Sequence, residues 1–339
     1  MKKCMAGVLA IGISLSMLGG CSKSDATKQE SDADSSVTTE AAESSTTEVT
    51  TEETTKAKEP VIRYKDEVPA DYKTKYEAGE AGTVEKITYL AKDYIGGGSG
   101  CDKNAYVYLP AGYSTDKQYN VIFLMHGIGG SENEWGLNST NSTLKNILDH
   151  LIGNGDVEPF ILVTPNGKAL GCKHDQDFDS FYNFGYELRR DLIPYIDSHY
   201  STYAEYSDHG YDLSKAREHR AMAGLSMGGM QTINIGIGEC LDAFSWFGAF
   251  SAAPTSNPSA TTAETIKNAQ FAIDYFYNLC GTEDDVAYWS ASAAAKTLAE
   301  DCDLMIPDVN FTWQERSGGH DFDIWYLGIY NFAKIAFVK

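Results

Sequence analysis

The residue with the clearest chemical potential in this sequence is a serine between glycines. Ser226 lies in Gly224-Leu225-Ser226-Met227-Gly228, a G-x-S-x-G pattern that follows a short apolar run and precedes a helical pattern. In that context a tight strand-to-helix turn holds the serine hydroxyl exposed above a sheet, and the flanking glycines avoid collisions between side chains. The start of the helix also directs amide groups toward a developing oxyanion. Ser226 is therefore predicted to be a nucleophile in acyl transfer.

Such a nucleophile requires an oxyanion hole built from two backbone amides. The residue after the serine, Met227, is expected to supply one of them. The second is expected from the glycine-rich loop at residues 126–130, which follows another apolar run. Ile128 is the preferred donor and Gly127 the alternative, and Gly127 is also a candidate for substrate binding because glycine lets the backbone approach a carbonyl closely. His126 in the same loop is predicted to be a hydrogen-bonded structural histidine.

The chain contains one histidine after Ser226, and it is the predicted general base. His320 lies in a glycine-rich loop between the last predicted strand and the last predicted helix. An imidazole there would take the serine proton and return it to the leaving alcohol, a task that suits a pKa near neutrality.

The acid that orients the histidine should lie between the serine and the histidine in chain order. Three carboxylates follow the run that ends at Cys280, and Asp284 is preferred over Glu283 and Asp285. Its role would be to accept the imidazole N–H and to stabilise the imidazolium. Asp321, beside the histidine, is expected to order its own loop.

The spacing of other reactive side chains favours no metal or cofactor. The sequence contains neither a C-x-x-C pair nor an H-E-x-x-H motif, so neither a cysteine-rich zinc site nor a zincin helix is predicted. Five cysteines fall in the predicted domain, an odd number whose pairing the sequence leaves open.

The elements that must position these residues alternate between strand-like and helical patterns. This alternation predicts an α/β-hydrolase fold, with a mostly parallel central sheet and helices on both faces. An antiparallel hairpin is expected over residues 83–94 and 105–109. Central strands are predicted at 121–125, 160–163, 220–223 and 244–247, with further candidates at 271–279 and 309–314. Helices are predicted at 143–152, 181–200, 227–238, 288–299 and 324–337.

The amino-terminal residues predict export and lipid anchoring. Residues 1–21 combine two lysines, a short apolar run and a small-residue cleavage box that ends at Cys21, the expected lipidation site. Residues 22–59 are rich in Ser, Thr and Glu and lack the apolar surface for a core, so they are expected to form a disordered tether. Residues 60–339 are expected to form one domain. The predicted location is the outer face of the bacterial cytoplasmic membrane, with the lipid anchor as the only membrane contact.

The formal net charge of −21 excludes one class of partner and favours another. An acidic chain is repelled by nucleic acid, so nucleic-acid binding is not expected. Neutral polysaccharides or small esters are better candidates for the substrate.

Several motifs in fixed order resemble carbohydrate esterase family 1, the feruloyl and acetyl-xylan esterases within the esterase D-like α/β-hydrolases. The resemblance covers most of residues 83–339. It is carried by residues 124–133, 164–167, 191–196, 223–229, 250–254, 280–282 and 318–322. The family pattern implies Asp284 as the acid, and it implies an ester on plant cell-wall xylan as the substrate.

The acyl group and the reaction class remain open at this stage. A serine carboxylic ester hydrolase of the feruloyl esterase type is the first hypothesis, and an acetyl-xylan esterase is the alternative. Two further hypotheses are an acyltransferase and a non-catalytic carbohydrate-binding protein on the same scaffold. Exposed aromatic residues would suit a phenolic acyl group or a sugar ring. Trp135 is the predicted substrate-binding residue of this kind, with Trp289 and Trp325 as further candidates.

Overall fold

The computed structural model describes residues 64–172 and 178–338. The predicted signal segment at 1–21, including Cys21, and the predicted tether at 22–59 therefore lie outside the described residues. In the described part of the chain, no helix is long and apolar enough to cross a membrane.

Eight strands in the described residues form one sheet in the order β1-β2-β4-β3-β5-β6-β7-β8. The strands are β1 (Thr83–Ala91), β2 (Cys101–Leu109), β3 (Asn120–Met125), β4 (Phe160–Pro165), β5 (Arg220–Leu225), β6 (Trp246–Phe250), β7 (Tyr275–Gly281) and β8 (Phe311–Arg316). β2 is antiparallel to both of its neighbours. All pairs from β4 through β8 are parallel, so their carboxyl ends meet at one edge.

The central strands are buried on both faces. Every residue of β4, β5, β6 and β7 is buried, which explains why their sequences are continuous apolar runs rather than alternating ones. β1 alternates between exposed and buried positions over its second half because it lies at the sheet edge.

Helices cover both faces of this sheet. They are α1 (Thr143–Gly153), α2 (Phe178–Tyr182), α3 (Gly185–Glu187), α4 (Ile193–His199), α5 (Met227–Gln231), α6 (Ser259–Asn268), α7 (Tyr288–Asp301) and α8 (Phe322–Ile335). α1 and α8 pack on one face, and α4, α6 and α7 pack on the other. Short 3-10 helices occur at Ala70–Lys73 and Leu213–His219. The predicted mostly parallel sheet with helices on both faces is confirmed.

Several predicted elements differ from the structure, and one observed helix was not predicted. The helix predicted over 181–200 is interrupted. α2 ends at Tyr182, and a wide turn of π-helix at Leu188–Leu192 precedes α4. Pro194 has no N–H to donate back along a regular helix, and the wide turn accommodates that loss. The fourth central strand begins at Trp246 rather than at residue 244. α6 was not predicted at all, since its exposed face is rich in Thr and Ser and only three of its residues are buried.

Candidate active site

The nucleophile elbow forms where β5 ends and α5 begins. Ser226 has φ 52° and ψ −114°, a left-handed backbone conformation that a non-glycine residue adopts only when its surroundings enforce it. A Cβ on Gly228 would lie 2.6 Å from the Met125 carbonyl oxygen, and one on Gly224 would lie 2.6 Å from the Gly228 carbonyl carbon. Both glycines are therefore required by close backbone packing, and they allow the turn that presents Ser226.

Three side chains from the carboxyl edge of the sheet form a hydrogen-bonded relay. His320 Nε2 lies 3.0 Å from Ser226 Oγ. On the other side of the ring, His320 Nδ1 lies 2.8 Å from Asp284 Oδ2. Because a carboxylate only accepts, Nδ1 carries the proton and donates to Asp284, and Nε2 is left to accept from the serine hydroxyl. The geometry is that of a nucleophile, a base and an orienting acid.

The Asp284 carboxylate is held ionised in a buried position. Its side chain is 0% exposed. Its second oxygen accepts the amides of Val286 at 3.0 Å and Ala287 at 2.8 Å. Burial raises the pKa of this carboxyl, but the hydrogen bonds from His320, the Ala287 amide and the Ser251 hydroxyl outweigh that effect and lower the pKa to about 2.

The competing carboxylates have other surroundings. Glu283 is exposed and accepts the Gly318 amide and the Ser317 hydroxyl, so it ties down the loop that carries the histidine. Asp285 is exposed. Asp321 caps α8 by accepting the amides at positions 323 and 324, as expected for a residue that orders its own loop. The structure brings Asp284, and neither of its acidic neighbours, into contact with His320.

The backbone amides of the two predicted oxyanion donors, Met227 and Ile128, are left without an acceptor among the described residues, whereas the amide of Gly127 is not. Met227 is the first residue of α5, where helix geometry leaves an amide without an intrahelical acceptor. Among the described residues, the Ile128 amide donates to no protein acceptor. The Gly127 amide, in contrast, donates to Glu134 Oε2 at 2.7 Å. The alternative prediction that Gly127 supplies the second oxyanion donor is therefore wrong, because its amide is already engaged. The prediction that Gly127 contributes to substrate binding stays a prediction.

His126 has the structural position that the sequence predicted. Its Nε2 accepts the Gly167 amide at 3.0 Å, and its Nδ1 lies 2.7 Å from the Gly127 carbonyl oxygen. A backbone amide only donates and a carbonyl only accepts, so the ring is the neutral Nδ1–H form. Burial lowers the pKa of His126 to about 4, which keeps it neutral. His126 therefore joins two loops and takes no part in the relay.

The three candidate tryptophans lie in different environments. Trp135 is 1% exposed, and its indole N–H donates to the Met125 carbonyl at 3.1 Å. It presents no ring face to a substrate, so its predicted role in substrate binding is wrong. Trp325 is also buried, with its ring edge-to-face against His320 at 5.1 Å between centroids. Trp289 is 83% exposed at the start of α7, five positions after Asp284.

A cavity of about 350 Å³ lies between the loop after β6, helix α7 and the end of β7. Its lining is mostly small and apolar, with Ala252, Ala253, Ala291 and Ala294 among its residues. Asn278 also lines it, and the buried Asn278 Oδ1 has no hydrogen-bond partner in the described residues. The cavity adjoins the elbow, because the Ala253 amide donates to the Ser226 carbonyl at 3.0 Å.

Sequence reasoning missed two polar residues beside the relay. Ser251, at the end of β6, has φ 48°, and its hydroxyl hydrogen-bonds Asp284. Glu134 holds the Gly127 amide. Neither residue belongs to a motif with a chemical meaning of its own, so only the three-dimensional contact identifies it. No cluster of metal-ligating side chains occurs within residues 64–172 and 178–338.

The sequence of this domain is similar to those of known esterases and esterase-containing proteins. A model of the Esterase family matches residues 97–320, more than half of the chain. Endo-1,4-beta-xylanase Y of Acetivibrio thermocellus is 40% identical over 168 residues, which are 50% of this chain and 14% of that protein. An endo-1,4-beta-xylanase/feruloyl esterase of Xylanibacter ruminicola is 31% identical over 214 residues, or 60% of this chain and 25% of that protein. The chain thus spans a quarter or less of the length of these relatives.

Solved structures share the whole domain. The feruloyl esterase module of Clostridium thermocellum, in a serine-to-alanine variant complexed with sinapinate, is 30% identical with a TM-score of 0.69. The match covers 82% of this chain and 95% of that module. A ferulic acid esterase of carbohydrate esterase family 1 from Anaeromyces mucronatus, in complex with ferulic acid, shares the fold at 24% identity and a TM-score of 0.66, over 81% of this chain and 97% of that one.

Proposed function

This chain belongs to the Esterase family and is a carboxylic ester hydrolase, and on that premise we propose that Ser226, His320 and Asp284 cleave feruloyl esters of plant cell-wall xylan. The observation that carries the proposal is the continuous relay from Ser226 Oγ through His320 to Asp284. The similarity of this chain to a xylanase/feruloyl esterase and to a feruloyl esterase module supports the substrate class.

The proposed chemistry runs in two steps on these side chains. His320 Nε2 takes the Ser226 proton as Oγ attacks the ester carbonyl, and the amides of Met227 and Ile128 stabilise the oxyanion. Asp284 stabilises the imidazolium, which then donates the proton to the departing sugar hydroxyl. Water, deprotonated by the same imidazole, then attacks the acyl-enzyme. The second tetrahedral intermediate collapses to the free acid as the imidazolium returns its proton to the departing Ser226 Oγ.

The cavity beside the elbow favours a feruloyl group over an acetyl group. An acetyl group would leave most of this cavity of about 350 Å³ empty, whereas an aromatic ring would occupy it and contact its apolar walls. The unpartnered Asn278 Oδ1 would accept a hydrogen bond from a phenolic hydroxyl. Acetyl-xylan hydrolysis remains the second candidate because the relay itself does not discriminate between acyl groups.

The decisive experiment compares Ser226→Ala with an exposed-serine control, Ser198→Ala. Ferulate release from methyl ferulate and acetate release from acetylated xylan are measured side by side. We expect Ser226→Ala to lose at least about 10⁴-fold in kcat while keeping its melting temperature, as for other serine nucleophiles. Ser198→Ala should retain full activity. Unchanged turnover by Ser226→Ala would refute the proposal. Faster release of acetate than of ferulate by the wild-type enzyme would instead favour acetyl-xylan hydrolysis as the function.

The same assay separates the remaining classes of function. An acyltransferase would transfer the feruloyl group to an added sugar acceptor and release less ferulate. A carbohydrate-binding protein without catalysis would release neither acid and would not need a hydrogen-bonded Ser-His-Asp relay. We expect free ferulate to be the product with and without acceptor.

We also propose that the enzyme is exported and held at the cell surface by a lipid on Cys21. The support is the arrangement of two lysines, an apolar run and a small-residue box before that cysteine. Labelling cells with an alkyne fatty acid should tag the wild-type protein. Cys21→Ser should remain untagged, and a tagged Cys21→Ser protein would contradict the proposal.

A further inference from the structure

The loop that carries the proposed oxyanion donor is held by a carboxylate outside the relay. Glu134 Oε2 accepts the Gly127 amide at 2.7 Å, and the Glu134 side chain is 22% exposed. Gly127 lies against the nucleophile, since a Cβ there would come within 3.3 Å of Ser226 Cβ. Glu134 therefore acts on backbone that directly borders the reacting serine.

The hydrogen bonds of Gly127 define the direction of the next amide. Its carbonyl oxygen accepts from His126 Nδ1 at 2.7 Å and from the Gly130 amide at 3.1 Å. The described residues contain no cis peptide bond, so the N–H of Ile128 points opposite to the Gly127 carbonyl in one planar unit. Donors hold the Gly127 carbonyl, and Glu134 holds the Gly127 amide. The Ile128 N–H therefore points away from the Gly127 carbonyl and donates to no acceptor within residues 64–172 and 178–338.

Glu134 is itself fixed in place. Its amide donates to the Ser131 carbonyl at 3.0 Å, and the next residue, Trp135, is buried and bonded to the Met125 carbonyl. A Cβ at position 130 would collide with the Glu134 carboxylate, so Gly130 makes the room that the carboxylate needs. Burial raises the pKa of Glu134 while the Gly127 amide lowers it, which agrees with a half-buried acceptor.

We propose that Glu134 is a positioning residue for the oxyanion hole, acting through Gly127 to keep the Ile128 amide turned toward the substrate carbonyl. Its side chain makes no hydrogen bond to Ser226, His320 or Asp284. The inference rests on the proposed function, because it assigns the Ile128 amide to the oxyanion of that reaction. What matters in this role is a hydrogen-bond acceptor at the Oε2 position and not a negative charge, which would oppose a developing oxyanion.

The test separates the acceptor from the charge with two variants of similar size. Glu134→Gln keeps an acceptor oxygen and removes the charge, whereas Glu134→Met removes both. On methyl ferulate we expect Glu134→Met to lower kcat by about 10²-fold with KM within about threefold, because one oxyanion donor is misaligned. Glu134→Gln should stay within about threefold of wild type in both constants.

A transition-state analogue provides a readout that general destabilisation would not move. Phenylboronic acid forms a tetrahedral adduct with an active-site serine, whereas ferulate binds as a trigonal product. The Glu134→Met substitution should weaken boronate inhibition by about the same factor as kcat, about 10²-fold. Inhibition by ferulate should change by less than about threefold.

Two outcomes would overturn the inference. One is a Glu134→Met enzyme with near wild-type kcat, and the other is a Glu134→Gln enzyme as impaired as Glu134→Met. If Glu134→Met does not fold, Glu134→Asp takes its place. Its carboxylate is one methylene further from the Gly127 amide. We then expect Glu134→Asp to lower kcat, whereas Glu134→Gln does not. Failure of the proposed function would show differently, as turnover that survives Ser226→Ala whatever the state of Glu134.

Discussion

Neighbouring carboxylates at the end of β7 have different roles because they face different surroundings. Asp284 is buried and receives backbone amides on one oxygen and the imidazole on the other. Glu283 faces solvent and holds the histidine loop through Gly318. In the proposed reaction, the first arrangement would stabilise the charge that appears on the imidazole, and the second would restrict the movement of His320.

Removing the charge at Asp284 should lower the catalytic rate while the protein stays folded. With Asp284→Asn, we expect kcat on methyl ferulate to fall by about 10⁴-fold, because the amide favours the wrong imidazole tautomer. Asp285→Asn, one residue away and exposed, is the matched control and should retain activity. Equal losses in the two variants would contradict the assignment of the acid.

Asp284 should also contribute to the acid stability of the protein. Its pKa in the folded state, about 2, lies below the ordinary value of 3.8. The folded form therefore binds fewer protons than the unfolded form, and the stabilisation is present above about pH 4 and is lost as the pH falls toward 2. Melting temperatures measured from pH 6 down to pH 2 should drop more steeply for wild type than for Asp284→Asn, and parallel curves would contradict this.

At the residue scale, the sequence restricts the relay by motif and chain order. Ser226 stands in a strand-turn-helix context, and His320 is the one histidine that follows it. Asp284 had two acidic neighbours as competitors, and burial separates them in the structure. Glu134 could not be predicted, since its contact with Gly127 depends on a turn whose shape local sequence does not specify.

At the scale of elements, the sheet was easier to predict than its helical cover. The central strands are buried on both faces, and this condition requires unbroken apolar runs that are visible in the sequence. A surface helix such as α6 needs only three buried residues, and its polar composition hides it. The interruption before α4 follows from Pro194, which has no N–H to donate within a regular helix.

The crossing of α5 and β3 should be intolerant of a single methyl group. Gly228→Ala would place Cβ 2.6 Å from the Met125 carbonyl oxygen, which is backbone and cannot move aside cheaply. We expect a loss of about 1–3 kcal/mol in the free energy of unfolding, measured in urea, together with reduced kcat. Gly238→Ala, whose Cβ would meet only ordinary contacts at 3.6 Å on a helical backbone, should leave stability unchanged or raise it by up to about 1 kcal/mol. Equal effects would show that the crossing is not tight.

Helix α7 should control which acyl groups are accepted. Ala294 lines the cavity beside the elbow, and a phenylalanine there would occupy much of its space. For Ala294→Phe we expect KM for methyl ferulate to rise about tenfold, equivalent to about 1.4 kcal/mol, while 4-nitrophenyl acetate is hydrolysed at the wild-type rate. Ala293→Ser at the cavity rim is the conservative comparison and should leave both substrates unaffected. Equal loss on both substrates would place the feruloyl group elsewhere.

At the scale of the whole molecule, depth in the fold decides which thiols react. Cys240, Cys280 and Cys302 are buried, and burial raises the pKa of Cys240 and of Cys280 to about 12. Cys101 is exposed at the start of β2. Iodoacetamide at pH 8 should therefore modify Cys101 in the native protein and reach the three buried thiols only after denaturation, as read by peptide mass spectrometry. Rapid native modification of Cys280 would contradict the packing around the acid loop.

The proposed base, His320, lies on the loop that leaves β8, an edge strand that pairs only with β7 among the described strands. Edge strands detach at lower free energy than the centre of a sheet, so a transient opening there would carry His320 away while the rest stays folded. The rate at which the enzyme loses activity on warming is then set by the local opening of β8 and not by unfolding of the core. On heating, activity should be lost before the near-ultraviolet circular dichroism signal. Cross-linking β8 to β7 should delay the loss of activity without changing the temperature at which the circular dichroism signal is lost.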